Sequence, residues 1–368
     1  MAWFNPFSAS PAAAPLALAL QGGGAHGAFT WGVLDTLLAS TDWPIAAISG
    51  TSAGALNAVA LAHGTLQGGR AGAREALARL WTAVGTQVPF DAVTTGSAEH
   101  PELAPAARTA IAWMRMFSPY QFNPLGVNPL RELLAEQIDF DALRERGRIR
   151  LHIAATHANS GRLRLFDNRD LTLSALLASA CLPTLHHAVT IEGEPYWDGG
   201  YSANPALFPL ARSGIRDLLA VTLIPRRFER APVSAEEIRD RALEFAFNAS
   251  FLREATLLGD AMAEARAAVW PHGRIELRLR RLRTHLIDGD GELHDLKPET
   301  RMIAHLPFLE RLRDLGRQRT LRWLAEHGAS VGRRSSVDFA AASALPAPAS
   351  ALAGTQTATA GDKGIPAA

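Results

Sequence analysis

The sequence has little of several features that often identify a class of protein. It contains one cysteine, Cys181, so no internal disulfide can form and nothing ties the fold to an oxidising compartment. No stretch approaches the roughly 18 consecutive apolar residues that cross a bilayer, and no basic segment precedes the apolar N-terminal stretch as in a signal peptide. The formal net charge of +1 creates no global field that favours nucleic acid. These absences predict a cytoplasmic protein, at most peripheral to a membrane, without a nucleic-acid partner. They leave the oligomeric state open.

Enough apolar material is present for a large core. The 368 residues, 48% of them hydrophobic, suit one large domain or two modest ones. Cys181 lies in the apolar run 176–182, which predicts a small buried side chain rather than a catalytic thiol.

Apolar runs and glycine breaks alternate along the first 65 residues. Leu16–Leu20 and Ile45–Ser49 each end at glycines, as buried strands do, and helical patterns follow at residues 27–39 and 53–62. This order predicts a parallel sheet covered by helices. Later patterns predict strands at residues 149–156, 162–166, 189–191, 196–197, 217–224 and 275–279, and helices at residues 172–180, 234–270 and 307–327.

The first motif that carries chemistry is a G-x-S-x-G sequence formed by Gly50, Ser52 and Gly54 with the residues between them. It follows a predicted strand and opens a predicted helix, which is the context of a nucleophile elbow. Flanking glycines relieve the crowding of such a turn, and the helix N-terminus favours negative charge on the serine oxygen. Alone, the motif is equally typical of a serine N-cap in a glycine-rich turn.

A second motif, Gly22-Gly23-Gly24-Ala25-His26-Gly27, also lies between a predicted strand and a predicted helix. Successive glycines leave backbone N–H groups unobstructed, which suits an oxyanion hole. The same residues satisfy the dinucleotide-binding pattern G-x-G-x-x-G, with Asp42 near the spacing of a ribose-binding acid. Asp42 precedes the second strand, however, whereas a ribose contact is expected from the end of that strand.

The third motif is Asp198-Gly199-Gly200, which follows Tyr196-Trp197 and precedes Asn204-Pro205. By itself, an aspartate followed by two glycines predicts a turn.

The three motifs together resemble the patatin-like phospholipases. That family carries a glycine-rich oxyanion segment, a G-x-S-x-G serine and an aspartate in a D-G-[GA] motif, in this order. Residues 178–183 and 196–205 also resemble the family's sequence around the aspartate, and the resemblance covers roughly residues 16–225. The chain departs from the family at His26, where Arg or Lys is common, so no fixed cation is expected at that position.

The resemblance implies a three-layer α/β sandwich with a mostly parallel central sheet and a helical C-terminal extension. The implied organisation is a flexible leader at 1–14, a catalytic domain at 15–225, an extension packed on that domain at 226–335 and a disordered tail at 336–368.

The resemblance also implies a lipid acyl hydrolase that cleaves carboxylic esters through an acyl-enzyme, without cofactor or metal. Ser52 is the implied nucleophile and Asp198 the base, and the N–H groups of Gly22, Gly23, Gly24 and Ala53 form the implied oxyanion hole. Its expected partner is a lipid or another acyl ester, with membrane contact possible at the periphery.

Several points stay open at this level. A carboxylate is a weak base for a hydroxyl, so a histidine is the alternative base, the nearest candidates being His26, His152, His157, His186 and His187. A fatty-acyl substrate needs an apolar channel, for which the candidates are aromatic residues at 117–122 or 245–251, although ordinary core packing is the expectation for most of them. The arginines from Arg274 to Arg283 are expected on a solvated strand face, with anionic head groups as the alternative partner. Two other functions remain, a nucleotide-binding oxidoreductase built on Gly22–Gly27 and a non-catalytic lipid-binding protein.

Overall fold

A computed structural model of the protein describes residues 14–87, 94–97, 101–114, 116–226, 228, 230–270 and 273–343. Apart from residue 14, the predicted leader lies outside the described residues, as does the predicted tail from residue 344 onwards.

The centre of the fold is a mixed sheet of eight strands. The path of paired strands is β10-β9-β1-β2-β5-β8-β7, and β6 also pairs with β5. Strands β10, β9, β1, β2 and β5 are parallel, whereas β6, β7 and β8 join antiparallel. A separate antiparallel ribbon is formed by β3 and β4. The strands are β1 Leu16–Leu20, β2 Ile45–Thr51, β3 Thr94–Gly96, β4 Pro101–Leu103, β5 Arg150–His157, β6 Leu163–Phe166, β7 Val189–Ile191, β8 Glu194–Asp198, β9 Asp217–Thr222 and β10 Arg283–Asp288.

Helices cover both faces of this sheet. They are α1 Gly27–Ser40, α2 Ala53–Thr86, α3 Pro105–Met114, α4 Pro119–Phe122, α5 Pro129–Gln137, α6 Phe140–Arg146, α7 Leu173–Ser179, α8 Phe208–Ala211, α9 Ala235–Ala267, α10 Arg274–Arg281, α11 Asp290–Leu293, α12 Leu306–His327 and α13 Phe339–Ser343. Short 3₁₀ helices lie at Gly24–His26, Gly199–Tyr201, Pro298–Met302 and Gly328–Ser330.

The alternation of side chains along β1 divides the core into two layers. Leu16, Leu18 and Leu20 belong to the large cluster that includes α1, α2 and α12. Ala17 and Ala19 belong to the cluster on the other face, with α8 and α9. The predicted three-layer α/β sandwich with a mostly parallel sheet is therefore confirmed.

The C-terminal region differs from prediction in one element. The residues predicted as a strand at 275–279 form helix α10, and the strand of this region is β10, a few residues later. The Glu276 carboxylate accepts a hydrogen bond from the Gly273 N–H, 3.1 Å away, which caps the helix start. The alternation of apolar and charged residues favoured a strand, but local capping and the good helix propensity of arginine and leucine prevail.

Residues 336–343 also differ from the predicted disordered tail. Phe339, at the start of α13, is buried against the cluster that contains Phe251 and Leu258 of α9. A large buried side chain explains why this part of the chain is ordered. The boundary predicted at 225/226 stays a prediction.

The topology brings the first two motifs to one edge of the sheet. Gly22 follows the carboxyl end of β1 and Ser52 follows that of β2, and these strands are parallel neighbours. No helix of the described residues is long and apolar enough to cross a membrane.

Candidate active site

Ser52 occupies a strained turn between β2 and α2. Its backbone has φ 53° and ψ −125°, a conformation that costs a non-glycine residue about 1–3 kcal/mol. Gly50 and Gly54 permit the turn: a Cβ on Gly50 would lie 2.6 Å from the Gly54 carbonyl oxygen, and one on Gly54 would overlap the Leu20 carbonyl oxygen. The sharp strand-to-helix turn that the motif predicts is therefore present in the backbone.

The Ser52 backbone is held by a residue that motif analysis did not single out. The Ser52 N–H donates to the Oγ of Ser179, 3.0 Å away, and Ser179 is fully buried in α7. A serine in a buried apolar helix was the available signal, because buried hydroxyls generally have a specific partner.

Asp198 ends β8, where its backbone pairs with Ala155 of β5. Its side chain is fully buried, and Oδ1 accepts a hydrogen bond from the Gly200 N–H at 2.8 Å. Oδ2 is buried without a hydrogen-bond partner among the described residues. Burial raises the pKa of the carboxyl to about 7, and the Gly200 N–H and the Ser52 side chain partly oppose that rise. The carboxyl group therefore changes its ionisation near neutral pH. One of its oxygens has no hydrogen-bond partner among the described residues, and the Ser52 hydroxyl is close enough to affect the pKa.

Gly199 and Gly200 are needed for close packing around Asp198. A Cβ on Gly199 would overlap the carbonyl oxygen of Ala154, and one on Gly200 would overlap the ring of Phe247. The aspartate turn is therefore fitted tightly between β5 and α9.

The glycine-rich loop lies against Ser52. A Cβ on Gly22 would lie 2.7 Å from the Ser52 Cβ, and Gly24 has φ +59° with its α-carbon against the carbonyl of Arg301. The N–H groups of Gly23 and Gly24 have no hydrogen-bond acceptor among the described residues. The Ala53 N–H lies in the first turn of α2, where no intrahelical acceptor exists.

Gly22 differs from its predicted role as an oxyanion donor. Its N–H already donates to Asn204 Oδ1, 2.7 Å away, so this donor is not available. Gly22 instead contributes its lack of a side chain, because a Cβ there would collide with Ser52.

Asn204 and Gln21 brace this loop, and sequence reasoning missed both. Gln21 Nε2 donates to the Asn204 carbonyl and to Asn248 Oδ1, while Gln21 Oε1 accepts from the N–H groups of Leu223 and Ile224. In the sequence, Asn204 is marked only by its place shortly after the aspartate motif. Two buried amides that connect β1, β9 and α9 fix the position of the glycine loop.

Gly27 has a packing role. A Cβ there would lie 2.5 Å from the Ala53 Cβ and 2.9 Å from the Trp81 ring, so the glycine lets α1 and α2 start side by side.

Asp42 lies before β2, at the sheet edge opposite Gly22–Gly24. It is therefore too far from the glycine loop to act as the ribose-binding acid of a dinucleotide site.

A cation does approach the glycine loop, although His26 does not supply it. Burial, together with the charge of Arg301, lowers the pKa of His26 well below its usual range, so the imidazole is neutral. His26 Nε2 lies 2.8 Å from Thr300 Oγ1. Arg301 lines the cavity beside Ser52, and Glu244 of α9 pairs with it at 2.8 Å.

A cavity of about 180 Å³ lies in front of Ser52. Its wall combines the glycine loop with apolar side chains from four parts of the chain, Leu182, Leu185, Ile224, Leu243, Phe247 and Met302. Charged side chains also border it, those of Asp240, Glu244, Glu299 and Arg301. Of the aromatic residues predicted to form an acyl channel, Phe247 lies here. Phe251 is buried in the core, and Phe245, Phe117 and Tyr120 are exposed.

No histidine of the described residues lines this cavity. His187 stacks on Tyr120 with ring centroids 4.1 Å apart, and His186 borders a different pocket. His157 hydrogen-bonds Glu194 and Ser160 at the surface. Among the described residues, no three His, Cys, Asp or Glu side chains form a group that could hold a metal ion.

Cys181 is buried, as predicted, and burial raises the pKa of its thiol to about 12. A thiol with that pKa is protonated at neutral pH and therefore a poor nucleophile.

Comparisons with known proteins agree with the motifs. Residues 18–211 match the family model described as "Patatin-like phospholipase". Solved structures with some likeness include VipD from Legionella pneumophila, with TM-score 0.35 and 15% identity over 83% of this chain and 67% of that one. Another is the ExoU–SpcU complex of the type III secretion system of Pseudomonas aeruginosa, with TM-score 0.25 and 16% identity over 90% of this chain and 75% of that one. No curated protein matches the sequence.

Proposed function

Because the chain belongs to the patatin-like phospholipase family of lipid acyl hydrolases, we propose that it cleaves carboxylic esters with Ser52 as nucleophile and Asp198 as base. One observation carries the proposal. A buried carboxylate with an unpartnered oxygen lies beside the hydroxyl of a strained serine, next to two unengaged backbone N–H groups.

In the first step, the Ser52 Oγ attacks the ester carbonyl carbon while Asp198 accepts the hydroxyl proton. The carbonyl oxygen becomes an oxyanion that the N–H groups of Gly23, Gly24 and Ala53 stabilise. The carbon–oxygen bond to the leaving group then breaks, and Asp198 returns the proton to the departing alcohol. An acyl group remains on Ser52.

In the second step, Asp198 accepts a proton from water and the resulting hydroxide attacks the acyl carbon. The bond to Ser52 breaks and Asp198 returns the proton to Oγ, which releases the carboxylic acid. A carboxyl whose pKa lies about 7 is a better base than an ordinary aspartate, because transfer efficiency rises as the base approaches the operating pH.

Arg301 has a positioning role in this scheme. Its charge lies beside the glycine loop, and its pairing with Glu244 fixes its head group. Because Glu244 neutralises this charge, the contribution of Arg301 is to hold its backbone carbonyl against Gly24 and so support the turn of the glycine loop.

The wall of the cavity favours an acyl chain. Leu182, Leu243 and Phe247 give an apolar surface that a fatty-acyl group would bury. Ile238 and Leu243 of α9 are 51% and 45% exposed, which supports contact of this rim with a lipid surface. The proposed substrate class is therefore a lipid-like carboxylic ester.

Labelling with a fluorophosphonate probe, together with hydrolysis of a short-chain nitrophenyl ester, tests the proposal. Wild type should be labelled at Ser52. Ser52→Ala and Asp198→Asn should each lose about a thousandfold or more in turnover, as expected for members of one catalytic unit.

Ser40→Ala is the matched control, because Ser40 is exposed at the last residue of α1, at the sheet edge opposite Ser52. It should keep label and turnover. Full turnover in Asp198→Asn would remove the carboxylate as base, and label at a residue other than Ser52 would remove the nucleophile.

A further inference from the structure

A concentration of positive charge lies away from Ser52. A groove of about 460 Å³ is lined by nine residues, of which seven are arginines. We call this the arginine groove, and its lining residues are Arg216, Arg266, Arg280, Arg281, Leu282, Arg283, Arg333, Arg334 and Ser335. No carboxylate in the described part of the chain lines it.

Most of these charges are unneutralised. Arg283 donates from Nε and Nη2 to the two carboxylate oxygens of the buried Asp217, at 2.8 and 2.6 Å. The other six arginines have no ion pair among the described residues. Arg266 and Arg280 bond instead to backbone carbonyls, those of Leu282 and Ala268.

The fold holds these side chains together. Arg216 precedes β9, Arg283 begins β10, and Arg266 ends α9. Asp217 ties the loop that bears Arg333 to the strands, because its Oδ1 accepts hydrogen bonds from the Gly332 N–H at 2.9 Å and from His285 at 3.1 Å. The fold therefore fixes the backbone positions from which the arginines reach the groove, although all of them except Arg283 are exposed.

Composition does not explain the cluster. The whole chain has 37 Lys and Arg against 36 Asp and Glu, so a random patch would be close to neutral. Residues 344–368 contain one acidic side chain, Asp362, offset by Lys363, and cannot neutralise seven arginines. Like charges around one groove repel each other, and a bound anion relieves that repulsion.

We propose that the arginine groove binds a small soluble ligand with two or more phosphate groups. Arginine matches phosphate through paired N–H groups in one plane, and several guanidiniums around one cavity suit more than one phosphate. A volume of about 460 Å³ lies within the usual range for small-molecule sites, roughly 300–1,000 Å³.

Position favours a soluble ligand over a lipid head group. Arg216 and Arg283 lie at the amino ends of β9 and β10, while Ser52 and the glycine loop lie at the carboxyl ends of parallel strands. A membrane bound at the groove would face the sheet edge opposite the Ser52 cavity.

Calorimetric titration of the full chain with inorganic tripolyphosphate tests the proposal. Saturable binding is expected, and it should weaken as salt rises because charge supplies the attraction. The variant Arg216→Gln/Arg281→Gln/Arg333→Gln should bind at least about tenfold more weakly.

The control variant Arg146→Gln/Arg148→Gln/Arg162→Gln removes the same charge from exposed positions on another part of the surface. It should bind tripolyphosphate like wild type. Without ligand, the groove variant should melt at the same or a higher temperature than wild type, since repulsion is relieved.

Four results would overturn the proposal: no saturable binding, equal weakening in both variants, tighter binding to vesicles containing phosphatidic acid, or tighter binding to an oligonucleotide. The vesicle result would assign the groove to a lipid head group. None of these outcomes depends on ester hydrolysis, so the groove and the catalytic proposal are tested separately.

Discussion

At the scale of single residues, Asp198 has an unusual combination of properties. It is fully buried, one carboxylate oxygen has no partner among the described residues, and its pKa is raised to about 7. Natural proteins tolerate such a group where chemistry needs it, because perturbed pKa values concentrate at functional sites.

The raised pKa predicts a pH dependence of hydrolysis. Asp198 accepts a proton only when ionised, so kcat/KM on a short-chain ester should rise tenfold per pH unit below about 7 and level off above it. Stopped-assay rates across pH 5 to 9, with the substrate's own hydrolysis subtracted, provide the measurement.

The same shift predicts a pH dependence of stability. The folded pKa exceeds the unfolded value, so between about pH 4 and 7 unfolding releases a proton and stability falls as pH rises, by up to ~4 kcal/mol in total. Asp198→Asn should lack this pH-dependent component of stability in urea titrations.

For hydrolysis, a profile of kcat/KM that is flat from pH 5 to 8 would contradict the assignment of Asp198 as the base.

The motifs predicted some residues of the site and not others. Ser52 and Asp198 stand in local patterns of glycines that a sharp turn requires, so sequence spacing reveals them. Gln21, Ser179, Asn204 and Arg301 reach the site through contacts between distant segments. No local pattern marks such residues, and the occupied N–H of Gly22 depends on Asn204 in the same way.

At the scale of elements, α9 forms one wall of the cavity. Its Leu243 and Phe247 line the cavity, whereas Phe245, on the same stretch, is 57% exposed and packs near Phe228 with ring centroids 6.0 Å apart. One helix thus presents two phenylalanines, two residues apart, in different surroundings.

This contrast predicts a difference between two variants. Phe247→Ala should lower kcat/KM for a long-chain ester by about tenfold while changing that for a short-chain ester less, because lost apolar contact weakens binding of the chain. Phe245→Ala should change neither. The ratio of the two rates is the measurement, and equal losses in both variants would show that Phe247 does not contact the acyl chain.

The elements themselves were largely predictable where burial is strong. Leu16–Leu20 and the helix at 234–270 have patterns that tertiary contacts reinforce, and the structure confirms both. The strand predicted at residues 275–279 was wrong, because alternating apolar and charged residues fit a strand as well as an exposed helix. The Glu276 cap and the helix propensity of arginine and leucine favour the helix.

At the scale of the whole molecule, the C-terminal third completes the core. Phe308, Leu312 and Trp323 of α12 belong to the same buried cluster as Leu18 and Phe29. Gly32 of α1 and Gly316 of α12 let the two backbones meet, since a Cβ on either would overlap a carbonyl of the other helix. Strand β10 extends the central sheet beyond β9.

The segment 14–225 is therefore predicted not to fold alone, even though it holds all three motifs. Without α12, the α1 face would expose a large apolar surface. Thermal unfolding followed by circular dichroism should show no cooperative transition for this segment.

A chain ending at residue 343 is the control, because it keeps every described element, and it should melt like the full chain. A cooperative transition of the 14–225 segment at the full-chain temperature would establish it as an independent domain and contradict the prediction.

The meeting of Gly24 with Arg301 has a consequence for how such a protein can diversify. The turn that presents the amides to substrate rests on the carbonyl of a residue far downstream, and Thr300 beside it holds His26. Recombination that exchanged only the segment with the three motifs between relatives would place a foreign glycine loop against the Arg301 carbonyl of this chain. We therefore expect the glycine loop and the segment around Arg301 to be inherited together.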